Sequence, residues 1–126
     1  MSDVVFDSSA LLALILHEPG GDLDGLLDRA VISSVNLVEV RTKLIDPEEL
    51  DLNSVDVELR GLIRVEPFTE AQAVVAAQLR SSTRHLGLSL GDRACLALAI
   101  DQQCEVYTSD GRWSDMTFDC KVNQIR

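Results

Sequence analysis

The sequence predicts an α/β protein, a three-layer α/β/α sandwich with a central, mainly parallel sheet. Three observations predict it. Short apolar runs alternate with helical stretches along the whole chain. The first run, Val4-Val5-Phe6, stops at an acid, Asp7, and turns straight into a helix. The helix after Ser89 is apolar nearly all round (Ala94, Cys95, Leu96, Leu98, Ile100), as a central, buried helix is. At 126 residues, one domain spanning 1–126 with one substantial core is expected.

The elements follow in order. Ala10 to Leu16 reads as a mostly buried helix, and Glu18-Pro19-Gly20-Gly21 breaks it. Leu23, Leu26 and Leu27 at helical spacing predict a short amphipathic helix over Asp22 to Arg29. Ala30 to Ser33 is a second strand, and Ser34 is a good N-cap for a helix from Val35 to Ile45. Asp46-Pro47-Glu48-Glu49 starts further helix, which to Gly61 reads as two short pieces around Asn53-Ser54. Leu62 to Phe68 alternates and closes with Pro67, the pattern of an edge strand. Thr69-Glu70-Ala71-Gln72 is a capping box ahead of an Ala-rich helix to Ser82, and Thr83 to Leu88 is a loop. Glu105 to Thr108 is a strand with the turn Ser109-Asp110-Gly111 at its end. The tail from Met116 to Ile125 adds a last short strand.

Composition excludes several classes of function. No apolar run approaches the roughly 20 residues of a membrane span, and Asp3 without an early positive charge argues against a secretory signal. A cytoplasmic protein is expected, with no membrane partner. Cys95, Cys104 and Cys120 show no CxxC spacing, so they read as small buried hydrophobes rather than as a disulfide framework or zinc site. Aromatic content of 4% argues against stacking of single-stranded bases. A net charge of −10 lacks the basic footprint of a typical nucleic-acid binder, but it suits carboxylates that await divalent cations.

Four acids fall at comparable places. Asp7 follows the first strand, Glu39 lies just over one turn into the helix after the second, Asp92 is in the first turn of the buried helix, and Asp110 follows the next strand. If the strands are parallel, all four share one rim, outside the carboxyl ends where ligands of open α/β sheets bind. Each acid also has a local explanation. Asp7 could be an N-cap, Glu39 could pair with Lys43, Asp92 could favour its helix dipole, and Asp110-Gly111 could be only a turn. Four together point to chemistry. Crowded carboxylates repel, so at least one should titrate high, and a hard cation relieves them. Mg²⁺ or Mn²⁺ takes oxygen ligands and can orient a phosphodiester and lower the pKa of a bound water.

The residues that carry these acids resemble a known family. Asp7-Ser8-Ser9-Ala10-Leu11-Leu12, Glu18-Pro19-Gly20, Asn36-Leu37-Val38-Glu39-Val40, the block from Gly87 to Ala99, and Thr108-Ser109-Asp110 together look like a PIN domain, and in particular like the VapC-like toxins of toxin–antitoxin pairs. The resemblance implies a Mg²⁺- or Mn²⁺-dependent endoribonuclease with Asp7, Glu39, Asp92 and Asp110 as its catalytic, metal-holding quartet. Asp115 is a fallback for the fourth acid. It implies an RNA substrate, a homodimer, and an antitoxin that occludes the site in a hetero-oligomer. Ser9 and Thr108 are candidates to support the quartet by hydrogen bonds, though local turn and cap bonding explains them equally. Arg93 and Arg112 are candidate substrate contacts, set within a wider scatter of Arg41, Lys43, Arg80 and Arg84 that solvation alone would explain. Phosphate contacts would make RNA affinity salt-dependent.

The segment from Asp46 to Gly61 departs from the family, being shorter and less regular than its helical hairpin. A phosphatase of the haloacid-dehalogenase type wants an acid two residues after Asp7, where this chain has Ser9. A phosphate-receiver domain wants an acid pair at the first strand, where residue 6 is Phe. The remaining rival is a catalytically idle PIN-like binding module.

Overall fold

The structure, a computed structural model, describes residues 2–20, 23–46, 59, 61–115 and 118–126. Its elements are β1 (Val4–Phe6), α1 (Ser8–Ile15), a 3₁₀ turn (Asp24–Arg29), β2 (Ala30–Ser33), α2 (Ser34–Ile45), β3 (Arg64–Glu66), α3 (Glu70–Thr83), a 3₁₀ turn (Arg84–Leu86), α4 (Leu90–Gln102), β4 (Glu105–Thr108), a 3₁₀ turn (Gly111–Asp115) and β5 (Val122–Gln124). The five strands lie in the order β3-β2-β1-β4-β5, and every pairing is parallel.

Side chains leave a strand alternately to its two faces, and this divides the core. Val4, Phe6, Ala30 and Ile32 pack with Ala10 and Leu11 of α1 and with Val40 and Leu44 of α2. Val5, Val31 and Val106 face the other way, onto Cys95, Leu96, Leu98 and Ala99 of α4, with Leu79 of α3 against the same cluster. Helices thus cover both faces, which is why β1 can be an unbroken apolar run with all three residues buried. The expected three-layer sandwich is present, and the sheet is wholly parallel rather than mainly so.

The strand order also locates a crevice. From β1 the chain moves through β2 to β3 on one side, then crosses to β4 on the other. The order reverses beside β1, and ligands of open parallel sheets bind at such a switch, outside the carboxyl ends. Asp7 follows β1 at that point, and its backbone N–H donates to the Tyr107 carbonyl of β4 at 3.2 Å.

Several local expectations are corrected. Ser33, not Ser34, caps α2: it is still extended, and its Oγ accepts from Val35 N at 3.2 Å. Ser34 is already helical, and its Oγ accepts from Phe68 N at 3.1 Å instead. The expected helix after Asp22 is a 3₁₀ turn. Thr69 caps α3 through Gln72 N, but the Gln72 side chain is buried and reaches Asp101 Oδ2, so the expected box is made on one side. The loop from Thr83 holds a 3₁₀ turn that ends at left-handed Gly87. The edge strand is shorter than its alternating pattern, at Arg64–Glu66. The helical pieces expected from Pro47 through Asn53-Ser54 lie outside the described residues. All three cysteines are free, and Cys95 and Cys104 are buried. Among the described residues no helix is long and apolar enough to cross a membrane.

Candidate metal centre

Asp7 both caps a helix and sits in the crevice. Its Oδ1 accepts from Ala10 N (2.8 Å) and Ser9 Oγ (2.7 Å), and its Oδ2 accepts from Thr108 Oγ1 (2.6 Å). The two hydroxyls pass these bonds onward. Ser9 Oγ accepts from Ser109 N at 3.0 Å, and Thr108 Oγ1 accepts from Asp110 N at 3.0 Å. The carboxyl end of β4 is therefore tied to Asp7 by two short relays. The Asp7 residue is only 4% exposed, and burial pushes its carboxyl up from 3.8 to about 6. The bonds from Thr108, Ser9 and Ala10 oppose that rise, and the Asp92 charge adds least to it. The expected high-titrating carboxylate is present, but desolvation rather than crowding is its main cause.

Asp92 is held by a complete capping box. Ser89 Oγ accepts from Asp92 N at 3.1 Å, while Asp92 Oδ2 accepts from Ser89 N at 2.9 Å. Beside it, Glu39 Oε1 accepts from Asn36 Nδ2 at 2.9 Å, and the same Nδ2 donates to the Gly91 carbonyl at 3.0 Å. Among the described residues Glu39 thus pairs with Asn36 rather than with Lys43. At Gly91 α4 comes close to the Glu39 side chain of α2: a Cβ there would lie 2.6 Å from both Glu39 carboxylate oxygens. Burial pushes the Cys95 thiol well above its usual range, and the charges of Asp7, Asp92 and Glu39 add to that rise.

Asp110 completes the rim through an arginine. Arg112 N and Nε donate to its Oδ1 (2.9 and 3.0 Å), and Nε and Nη2 donate to its Oδ2 (3.0 and 2.5 Å). The guanidinium holds Asp110 below the usual carboxylate range. Nη2 also reaches Asp92 Oδ2 at 3.4 Å, so Arg112 bridges the two acids. Asp115 closes the following 3₁₀ turn. Arg93, expected at the substrate, is turned to α3 instead, where Nη1 donates to the Ala76 carbonyl at 2.9 Å.

The donor set is chemically suited to a hard cation, being four carboxylates with no thiolate or imidazole. A second feature fits as well. Asn36 is 1% exposed, yet among the described residues its Oδ1 has no partner, leaving a buried acceptor beside Glu39. The sequence alone assigns no role to Asn36 or Gly91, although the Asn-x-x-Glu spacing puts Asn36 and Glu39 on one helix face. No group of three or more His, Cys, Asp or Glu among the described residues stands in metal-holding geometry. Arg112 lies between Asp92 and Asp110 and pairs with both.

Comparison with known proteins agrees with the fold. The sequence profile of the PIN domain matches residues 4–119. No curated protein is significantly similar in sequence. Similar solved structures include FitAcB from Neisseria gonorrhoeae (23% identity, 97% of each chain covered, TM-score 0.72). A toxin–antitoxin complex from Klebsiella pneumoniae has 16% identity, 98% of each chain covered and a TM-score of 0.73. VapC20 from Mycobacterium tuberculosis, a sarcin-ricin loop cleaving toxin, has 20% identity and a TM-score of 0.65, over 92% of this chain and 96% of that one. These identities establish likeness of fold. With the profile match along nearly its whole length and a parallel sheet whose carboxyl rim gathers acids, the chain belongs to the PIN domain family.

Proposed function

We propose that this protein is a Mg²⁺- or Mn²⁺-dependent endoribonuclease, the toxin of a toxin–antitoxin pair, with Asp7, Glu39, Asp92 and Asp110 as its metal-holding acids. The observation that carries the reading is the linkage of Asp7, Asp110 and Asp92 at the crevice beside β1, with Glu39 tied to Gly91, the residue before Asp92. Thr108 joins Asp7 to Asp110, Arg112 joins Asp110 to Asp92, and Asn36 joins Glu39 to Gly91. Asp7, Glu39, Asp92 and Asp110 would hold such an ion, whose chemistry when bound would be Lewis-acid charge at a phosphodiester and a lowered pKa for an attacking water.

The chain's own residues do the rest. Ser9, Thr108 and the Ala10 amide fix the orientation of the Asp7 carboxylate, a support that metal ligands commonly need. The Ser89 box holds Asp92 at the start of α4. Arg112, 48% exposed in its side chain, is the basic group set to meet a phosphate at this rim. RNA as substrate and an antitoxin as partner draw support from the mycobacterial and Klebsiella structures. A homodimer and a cytoplasmic location complete the reading.

Asp7→Ala and Asp92→Asn are each expected to abolish EDTA-sensitive RNA cleavage, with far-UV circular dichroism unchanged. Undiminished cleavage by both variants removes the site assignment. One observation favours the idle binding module instead: Arg112 already satisfies both oxygens of Asp110. An absence of metal-dependent product from a broad RNA panel would establish that rival.

A further inference from the structure

We infer that Arg112 is an exchangeable internal counter-ion, which occupies the acids in the metal-free protein and must leave Asp92 and Asp110 before a divalent cation can enter. The inference rests on the metal-site reading above and concerns how that site is kept closed.

Both oxygens of Asp110 receive donors from Arg112, and Asp92 Oδ2 receives Nη2 as well. Metal ligation needs those same lone pairs. One guanidinium against two carboxylates leaves the pair with a charge of −1, whereas a divalent ion would neutralise it. The anchoring is asymmetric. Nη1 is hooked to the carbonyls of Leu86 and Gly87 (3.0 and 3.3 Å), ahead of α4, while the backbone N of Arg112 holds Asp110 independently of the side chain. The guanidinium can therefore withdraw without unmaking the turn that carries Asp110. Its half-exposed position keeps withdrawal cheap, since exposed ion pairs contribute little. Competition of this kind lowers apparent metal affinity by the fraction of time the site stands open.

The test is calorimetric titration of Mn²⁺ into wild-type protein, Arg112→Gln and Asp7→Asn. Arg112→Gln is expected to bind Mn²⁺ roughly tenfold tighter than wild type, and Asp7→Asn, which does not touch Arg112, to lose the site. Unchanged or weaker binding by Arg112→Gln, with Asp7→Asn still defective, overturns the inference and leaves the metal site standing. Wild-type and Asp7→Asn titrations that coincide overturn the metal site itself. Should Arg112→Gln misfold through loss of the Leu86 and Gly87 bonds, the Arg112 Nε–Hε resonance of wild-type protein decides. It should move during Mg²⁺ titration, and a stationary signal refutes the exchange.

Discussion

Asp7 holds a carboxylate where burial opposes its charge, and the consequence is measurable as stability. Its folded value of about 6 lies above the ordinary 3.8, so between those values the folded protein binds a proton that the unfolded chain releases. Stability from this group is therefore fully present below about pH 4 and falls as pH rises through about 6. The shift corresponds to a loss on the order of 3 kcal/mol at neutral pH. Metal-free Asp7→Asn should consequently be more stable than wild type at pH 7.5, by on the order of 1–3 kcal/mol, and lose that advantage near pH 4. Urea denaturation in EDTA at the two pH values checks it, and a difference that does not narrow at low pH would sink the argument. Asp7 was legible as an acid at a strand end. Its burial was not, because that depends on segments distant in the chain, such as β4, whose Thr108 bonds Asp7 from 101 residues away.

At the scale of elements, the start of α4 does the positioning. Its capping box was visible as Ser89-Leu90-Gly91-Asp92, since a cap is a matter of local spacing. The role of Gly91 was not visible, because it arises where α4 approaches α2. A Cβ at Gly91 would collide with the Glu39 carboxylate, the far end of a flexible side chain, so the fold can adjust and the acid cannot stay. Gly91→Ala should keep its thermal midpoint within a few degrees of wild type, because alanine suits a helix better than glycine. Metal-dependent cleavage should fall roughly 10- to 100-fold, as small misplacements of a reacting group do. Full activity in a folded Gly91→Ala protein would mean that Glu39 is not needed where it stands. Similarly, Ser33 displaced Ser34 as the cap of α2 because the helix starts one residue earlier, directly at the end of β2.

For the whole molecule, the site is stapled to the core on the α4 side of the sheet. Trp113 follows Arg112 directly and is fully buried among Leu88, Leu96 and Val106's cluster. Trp113→Ala should cost about 3–5 kcal/mol, lowering the urea midpoint without changing its slope. A near-neutral effect would show that the turn carrying Asp110 folds independently of that core. The net charge of −10 belongs to this scale as well. On the function proposed above it would confine an RNA contact to local cations rather than spread it over a basic face, and Arg112 is a cation that the rim presents.

The sequence by itself determined the α/β class, the strand cores and the order in which four acids arrive, because hydrophobic period, caps and chain order are local properties. Tertiary structure alone decided which groups met. It turned Arg93 onto Ala76 and Arg112 onto Asp92 and Asp110, although both arginines follow an acid closely in the chain. It also made burial, more than mutual repulsion, the force on Asp7. Side-chain direction and desolvation depend on what packs from distant segments, and spacing along a chain does not encode that.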